Sequence, residues 1–350
     1  MRLAAIKYHS PRYTRIFFSI MQRMLSRLLL IPLSSLTCLF SNAQINNYAE
    51  VDSFMSAVPF QINETKDLDS LIHVIEKKFS KEEEKVRAIY FWVTDNIAYD
   101  MDGLYRGKMI STKEEALLKK RCVCSGYADI LDYSFSKMGL ESAVVTGIAR
   151  TLNAKMEWDV NSWMNGHAWN AVRVEGSWRL IDATWASGYA YFDVFKKKRN
   201  DGYFFTSPHM FLLDHFPSIA KWQLMGDSAI SKKQFYDQPF ALFNFHKAGL
   251  LSISPSVAIV RGQPGNVIEF SFTSSKEINT VFIGPHGGKV TTIEVFPEDG
   301  VYKFQYELKE YSQGKFVVGF GYKDDKRRYK WMAEEALGYL FAFSLPENNN

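Results

Sequence analysis

The sequence predicts an α+β domain followed by an all-β domain of the sandwich kind, and three observations lead there. Residues 68–138 carry apolar positions at the spacing of amphipathic helices, and residues 142–183 alternate like the strands of a half-buried sheet. Residues 251–345 hold six or seven short alternating runs broken by Gly and Pro turns, the pattern of a β-sandwich. A chain of 350 residues that is 47% hydrophobic and 15% aromatic buries a substantial core, and at about 100–200 residues per domain it predicts two domains. Helical patterning fades past Phe245, which puts the boundary near residue 248 and divides the chain into 44–248 and 249–350.

Residues 1–43 read as an export signal rather than as part of either domain. They hold Arg2, Lys7, Arg12, Arg15, Arg23 and Arg27 and no acid, followed by Leu28–Phe40, an apolar run too short to span a bilayer. Ser41-Asn42-Ala43 then places small residues where a signal peptidase reads them, and Met24 makes a more ordinary start than Met1, with Arg27 as its basic flank. A lipid anchor at Cys38 is the rival reading, but Ser35-Leu36-Thr37 fits that signal poorly. The expectation is an exported protein, periplasmic or extracellular, with no stable membrane span once the signal is removed.

In the first domain, Leu68–Phe79 has helical periodicity, and Ser80 with Glu83 has the spacing of a capping box for a second helix ending near Asn96. Gly126–Met138 is a third helix, stopped by Gly139, with Tyr127, Ile130, Leu131 and Phe135 on one face. Strands follow at Ser142–Ile148, Ala168–Val174 and Trp178–Ala183, the last two joined by a turn at Glu175-Gly176-Ser177. A helix packed on an antiparallel sheet is the simplest assembly. In the second domain the strands are Ser256–Val260, Val267–Phe272, Thr280–Ile283, Val290–Val295, Tyr302–Leu308, Phe316–Gly321 and Leu340–Phe343.

The formal charge of +4 gives no support to nucleic-acid binding, because the six cations of residues 1–43 leave the remainder at −2. Removing the signal leaves two cysteines, Cys122 and Cys124, whose separation by one residue is unsuited to a relaxed disulfide. A thiol kept in an oxidising compartment calls for a function.

Cys124 stands at the start of the third helix, where unpaired backbone amides and the helix dipole favour a thiolate. The alternative is that both cysteines are small buried hydrophobes. His167 opens the strand His167-Ala168-Trp169-Asn170, where a histidine is by default a packing residue. Hairpin geometry changes its standing. If Glu175-Gly176 form a two-residue loop, Val174 pairs with Ser177 and Trp169 with Asp182. His167 and Asp182 are then diagonal neighbours on one face, about 7–8 Å apart at Cα. A three-residue loop puts them on opposite faces. In the first register Asp182 accepts an imidazole N–H, His167 takes the proton of Cys124, and the thiolate attacks an acyl carbonyl to form a thioester. The backbone N–H of Cys124 is a candidate oxyanion donor.

Other motifs carry less. His209 and His215 are six residues apart, His73, His246 and His286 are isolated, and none has metal-ligand spacing. No calcium-loop pattern occurs, and neither a metal nor an organic cofactor is expected. Lys196–Arg199 reads as a solvated loop.

Three motifs resemble the transglutaminase-like superfamily: Val123-Cys124-Ser125-Gly126-Tyr127-Ala128, Gly166-His167-Ala168-Trp169-Asn170 and Asp182-Ala183-Thr184-Trp185. Ala88–Asp100 resembles the helix that precedes the cysteine in that superfamily. The segment Tyr203–Met225, with Asp214-His215-Phe216-Pro217 and Lys221-Trp222, resembles its kyphoscoliosis-peptidase branch. The resemblance covers about residues 65–230 and implies a papain-like core with a Cys124, His167, Asp182 triad. Cys122 departs from the pattern, since glycine is more usual there, and leaves a second thiol that could resolve or protect the first. The expectation is an exported cysteine peptidase or amidase hydrolysing peptide, protein or cell-wall peptide amide bonds. The alternatives are protein crosslinking and a non-catalytic envelope binding or scaffold protein, because a fold hosts more than one function.

Overall fold

The computed structural model describes residues 48–57, 60–150, 166–191, 194–241, 245–285, 288–309, 314–321 and 338–344. The expected export signal, with Met24 and Cys38, lies outside the described residues, as does the segment 151–165.

Three helices open the described chain: α1 (Ala49–Ala57), α2 (Thr65–Lys78) and α3 (Glu82–Asn96). In α2 the spacing of Leu68, Leu71, Ile72 and Ile75 makes one apolar face, and all four are buried. Asp67 caps its first turn by accepting from the N–H groups of Asn63 (2.9 Å) and Glu64 (3.2 Å). The capping box expected at Ser80 and Glu83 is not formed. Helix α3 begins at Glu82 with Lys81 in the cap position, and the Glu83 carboxylate accepts instead from the Tyr48 hydroxyl. Glu82, Glu83 and Glu84 still place negative charge at the positive end of the helix dipole. Every residue from Val86 to Thr94 is buried, which makes α3 the central helix of the domain. The one cation in that buried run, Arg87, is paired with Asp52 at 2.7 Å and Asp201 at 3.0 Å.

Strand β1 (Ala98–Tyr99) pairs in parallel with β2 (Arg121–Cys122), and α4 (Met101–Arg106) and α5 (Lys113–Lys119) fill the connection. Helix α6 (Cys124–Lys137) starts one residue after β2. Its face of Tyr127, Ile130, Leu131 and Phe135 is buried as the spacing predicts, and Gly139 takes the left-handed conformation (φ 72°) that ends it.

The sheet beneath α6 contains β3 (Ser142–Ala149), β4 (Gly166–Val174) and β5 (Ser177–Ile181). A short helix α7 (Ala183–Ser187), a ribbon of β6 (Gly188–Tyr191) and β7 (Val194–Lys197), strand β8 (Phe204–Thr206), helix α8 (Pro208–Phe211) and strand β9 (His215–Pro217) follow. The five-stranded antiparallel sheet runs β8-β5-β4-β3-β9. Glu175 (φ 48°) and Gly176 (φ 79°) are both left-handed, so the β4–β5 loop has two residues, and Val174 pairs with Ser177 while Asn170 pairs with Ile181. The expected third strand stops at Ile181, because Asp182 caps α7.

Beyond helix α9 (Lys232–Tyr236), two further sheets form. One contains β10 (Phe240–Ala241), the other begins with β11 (Leu250–Ser254), and β12 (Ile259–Arg261), β13 (Val267–Ser274), β14 (Thr280–Pro285), β15 (Thr291–Glu294), β16 (Pro297–Glu298), β17 (Val301–Glu307), β18 (Gly314–Gly321) and β19 (Gly338–Ser344) complete them. The orders are β10-β19-β18-β14-β15, with β12 parallel to β19, and β11-β13-β17-β16. Phe272 of β13 meets Phe320 of β18 edge-on at 5.0 Å, so the sheets share an aromatic core as in a sandwich. The strand expected at Ser256–Val260 begins only at Ile259, while β11 and the two-residue β16 have no counterpart in the sequence reading. Strand β10 precedes residue 248 yet pairs with β19, and Arg150 at the end of β3 donates to the carbonyls of Leu213, Phe235, Gln238 and Pro239 at 3.2 Å each.

Candidate active site

Cys124 is the first helical residue of α6, placed there by the parallel pairing of β2 with β1 immediately upstream. Burial pushes its thiol up, but hydrogen bonding and charge from His167, with the backbone N–H of Ala168, outweigh that, and the net effect is a lowered pKa. Cys122 is fully buried, and burial followed by the charges of Cys124, Asp100 and Asp129 pushes its thiol far up. Both cysteines are free. Cys122 fills the space left by Gly126, where a Cβ would lie 2.5 Å from its Cβ and 2.7 Å from its Sγ. The thiol at 122 is thus a packing group facing a glycine, and the thiol at 124 is the acidic one.

His167 lies on β4 opposite Gly147, and Asp182 lies one residue past the end of β5. The two-residue loop puts both on one face, and His167 Nε2 is 2.7 Å from Asp182 Oδ2. The imidazole and the Cys124 thiol act on each other, His167 favouring the thiolate and Cys124 favouring the imidazolium. Burial works against the imidazolium, yet the charge and hydrogen bond of Asp182, helped by Cys124, raise it to about 10. Asp182 is wholly buried with every lone pair engaged. Oδ1 caps α7, accepting from Thr184 N at 2.8 Å and Trp185 N at 3.0 Å, and Oδ2 accepts from His167 and from His215. Its carboxyl is held well below the usual range: burial opposes this, and His167 and His215 overcome it.

The neighbouring motif residues hold the frame. Asn170 donates from Nδ2 to the Ala128 carbonyl at 3.0 Å, tying β4 to α6. The Tyr127 hydroxyl bonds the Ile97 carbonyl at 2.8 Å and Ser187 Oγ at 3.0 Å, linking α6 to the chain ahead of β1 and to α7. Trp169 is buried beside His215 and Phe211, and its ring edge occupies the space over Gly147.

Four residues that the sequence reading sets aside or leaves unassigned join this site. His215 Nε2 lies 3.0 Å from Asp182 Oδ2, and its Nδ1 lies 2.6 Å from Asp214 Oδ1. Asp214 Oδ2 accepts from the Tyr203 hydroxyl at 3.1 Å and from His246 Nε2 at 2.8 Å. The histidines at 215 and 246 are judged in the sequence by metal-ligand spacing, a test blind to a hydrogen-bonded chain. The signal that would have found them is an adjacent Asp-His pair inside an apolar stretch, since charge buried there needs partners.

His167, Asp182 and His215 bring three ligating atoms within 4.8 Å of one another. Their separations are those of hydrogen bonds, and 2.7 and 3.0 Å are shorter than the spacing of two ligand atoms each about 2 Å from a tetrahedral zinc. The cluster is thus spaced as a hydrogen-bonded chain. A thiol beside an imidazole that a carboxylate orients is the arrangement of an activated nucleophile.

Residues 70–183 match the family model of the Transglutaminase-like superfamily. The chain is 27% identical over 282 residues to kyphoscoliosis peptidase of Homo sapiens, covering 76% of this chain and 41% of that protein. It is 26% identical over 303 residues to a Lim and transglutaminase domain protein of Caenorhabditis elegans, covering 79% of this chain and 37% of that protein. Each of these relatives is therefore spanned over less than half its length. Among solved structures, one described as a TGase aligns with a TM-score of 0.26 at 21% identity, covering 43% of this chain and 38% of that one.

Proposed function

We propose, from the premise that residues 70–183 carry a transglutaminase-like domain resembling the kyphoscoliosis-peptidase branch, that this protein is a cysteine-dependent acyl-transfer enzyme hydrolysing peptide or protein amide bonds. The observation that carries the reading is the ordered line of Cys124, His167 and Asp182, with the sulfur at a helix start and the imidazole 2.7 Å from a buried carboxylate.

In this reading His167 takes the Cys124 proton, and the thiolate attacks the amide carbonyl carbon. The carbonyl oxygen becomes an oxyanion, to which the backbone N–H of Cys124 is a donor. The C–N bond breaks as the imidazolium gives its proton to the departing amine, leaving a thioester on Cys124. A water deprotonated by His167 then attacks the thioester, releasing the carboxylic acid and restoring the thiol. Asp182 fixes the tautomer and stabilises the imidazolium throughout. An amine in place of water would give transfer, and among the described residues no feature of the site singles out an amine acceptor. Export of the protein through the signal in residues 1–43 belongs to the same proposal, and the mass of the secreted chain, with cleavage after Ala43 expected, tests it.

The enzymatic reading is tested with a fluorescently labelled protein substrate incubated with an excess of a primary-amine probe. Hydrolysis predicts Cys124-dependent peptide release without probe incorporation. Probe incorporation would move the assignment to crosslinking, and neither signal above the Cys124→Ala background would leave a binding role.

A further inference from the structure

His215 is enclosed by acceptors. Its Nε2 faces Asp182 Oδ2 at 3.0 Å and its Nδ1 faces Asp214 Oδ1 at 2.6 Å, and all three side chains are fully buried. A carboxylate accepts and does not donate, so each ring nitrogen must carry a hydrogen. Asp214 is held as a carboxylate by the other bonds it accepts, from Tyr203 and His246. The ring stacks on Phe211 at a centroid distance of 4.1 Å, with Trp185 at 4.6 Å, Trp169 at 5.2 Å and His167 at 5.4 Å around it. Strand β9 fixes it there, because Ala149 of β3 pairs with His215.

We propose that His215 is a positioning residue charged throughout the neutral pH range: an imidazolium bridging Asp182 and Asp214 that shares one carboxylate oxygen with His167 and so sets how strongly Asp182 acts on the Cys124–His167 pair. This rests on the reading of Cys124 and His167 as a nucleophile and its base. The charged and titratable groups around His215 are Asp182, Asp214, His167, Cys124, His246 and Tyr203, with the Arg150 guanidinium influenced by Asp214 from the β3 side. The burial cost of a cation here is offset by a carboxylate on each side. Two histidines donating to the same oxygen compete for it. A cation at 215 therefore weakens the pull of Asp182 on the His167 proton and adds positive charge near the Cys124 sulfur. Both effects move the protonation range of the pair toward lower pH.

Asp214→Asn isolates the charge from the shape. The amide oxygen still accepts from Tyr203 and His246, and the amide NH₂ donates to Nδ1, so His215 becomes neutral while keeping its bond to Asp182.

The experiment has two readouts on the full chain. In ¹⁵N-histidine-labelled protein, with His215 assigned by its loss in His215→Gln, one-bond N–H couplings on both ring nitrogens from pH 6 to 8 are expected. A bare ring nitrogen in that range overturns the proposal, whether or not any variant folds. The second readout is the pH profile of Cys124 alkylation by iodoacetamide. Asp214→Asn is expected to shift it upward by about 0.5–1 pH unit. A profile lowered in amplitude but unmoved would show a structural role only and overturn the proposal. If wild-type Cys124 shows no depressed profile at all, the nucleophile reading fails, while the ¹⁵N spectrum still reports the state of His215.

Discussion

His167 and Asp182 meet diagonally across a hairpin whose two loop residues, Glu175 and Gly176, are both left-handed, and the meeting depends on that loop having two residues. Inserting one glycine between Glu175 and Gly176 adds a third loop residue and turns one of the pair to the opposite face. The insertion is expected to lower the rate of Cys124 alkylation at pH 6 by about 10²-fold or more while far-UV circular dichroism stays native-like. Unchanged alkylation in a folded insertion variant would separate the thiol's reactivity from Asp182.

Gly147 is required by close approach. A Cβ there would meet the Phe216 carbonyl oxygen at 2.2 Å, Trp169 at 2.6 Å and the Pro217 Cα at 2.8 Å. Two of these are backbone atoms of β9, so the strand carrying His215 must move. Gly147→Ala is expected to destabilise the fold by about 2–3 kcal/mol, read from the urea midpoint. A midpoint within error of wild type would show that β9 gives way freely.

Cys122 and Gly126 are predicted to be coupled. Gly126→Ala alone destabilises, and adding Cys122→Gly recovers part of the loss, with an interaction energy above about 0.5 kcal/mol in a double-mutant cycle. Because burial keeps the Cys122 thiol protonated, mass spectrometry of the native protein is expected to find it unlabelled until denaturant is added. Labelling of native Cys122 would return it to the roles of resolving or protecting thiol.

The buried chain also predicts a stability optimum in pH. His167 and His215 have raised pKa values, so their contribution is complete below the unfolded value of about 6.5 and is lost as pH rises through the folded values, about 10 for His167. Asp182 and Asp214 are depressed, so theirs is complete above the unfolded value of about 3.9 and is lost as pH falls toward the folded values. Both are in full between about pH 5 and 6. Melting temperature against pH is expected to peak there, with the fall on each side shallower in Asp214→Asn. Parallel curves for variant and wild type would remove the network from the account.

The parts legible in the sequence are the local ones. A two-residue turn sets a hairpin register from its immediate neighbours, and the spacing of Tyr127, Ile130, Leu131 and Phe135 reports its own buried face, so α6, β4, β5 and the three motif residues can be read directly. The illegible parts depend on distant partners. Glu83 leaves its capping position for Tyr48, 35 residues away. The three-residue β9 and two-residue β10 are too short for any periodicity, and they exist because β3 and β19 offer edges. His215 and His246 enter the site only through those pairings and the turn at 245–248, which is why spacing along the chain does not reveal them.

The central claim is that Cys124 is an ionised nucleophile maintained by His167. Iodoacetamide labelling across pH 4–9, followed by mass spectrometry of wild type, Cys124→Ala and His167→Ala, measures it directly. The account predicts labelling of Cys124 well below the ordinary thiol value of about 8.5, returning to that value or above in His167→Ala. A Cys124 that is inert in wild type, or that labels identically without His167, would contradict it.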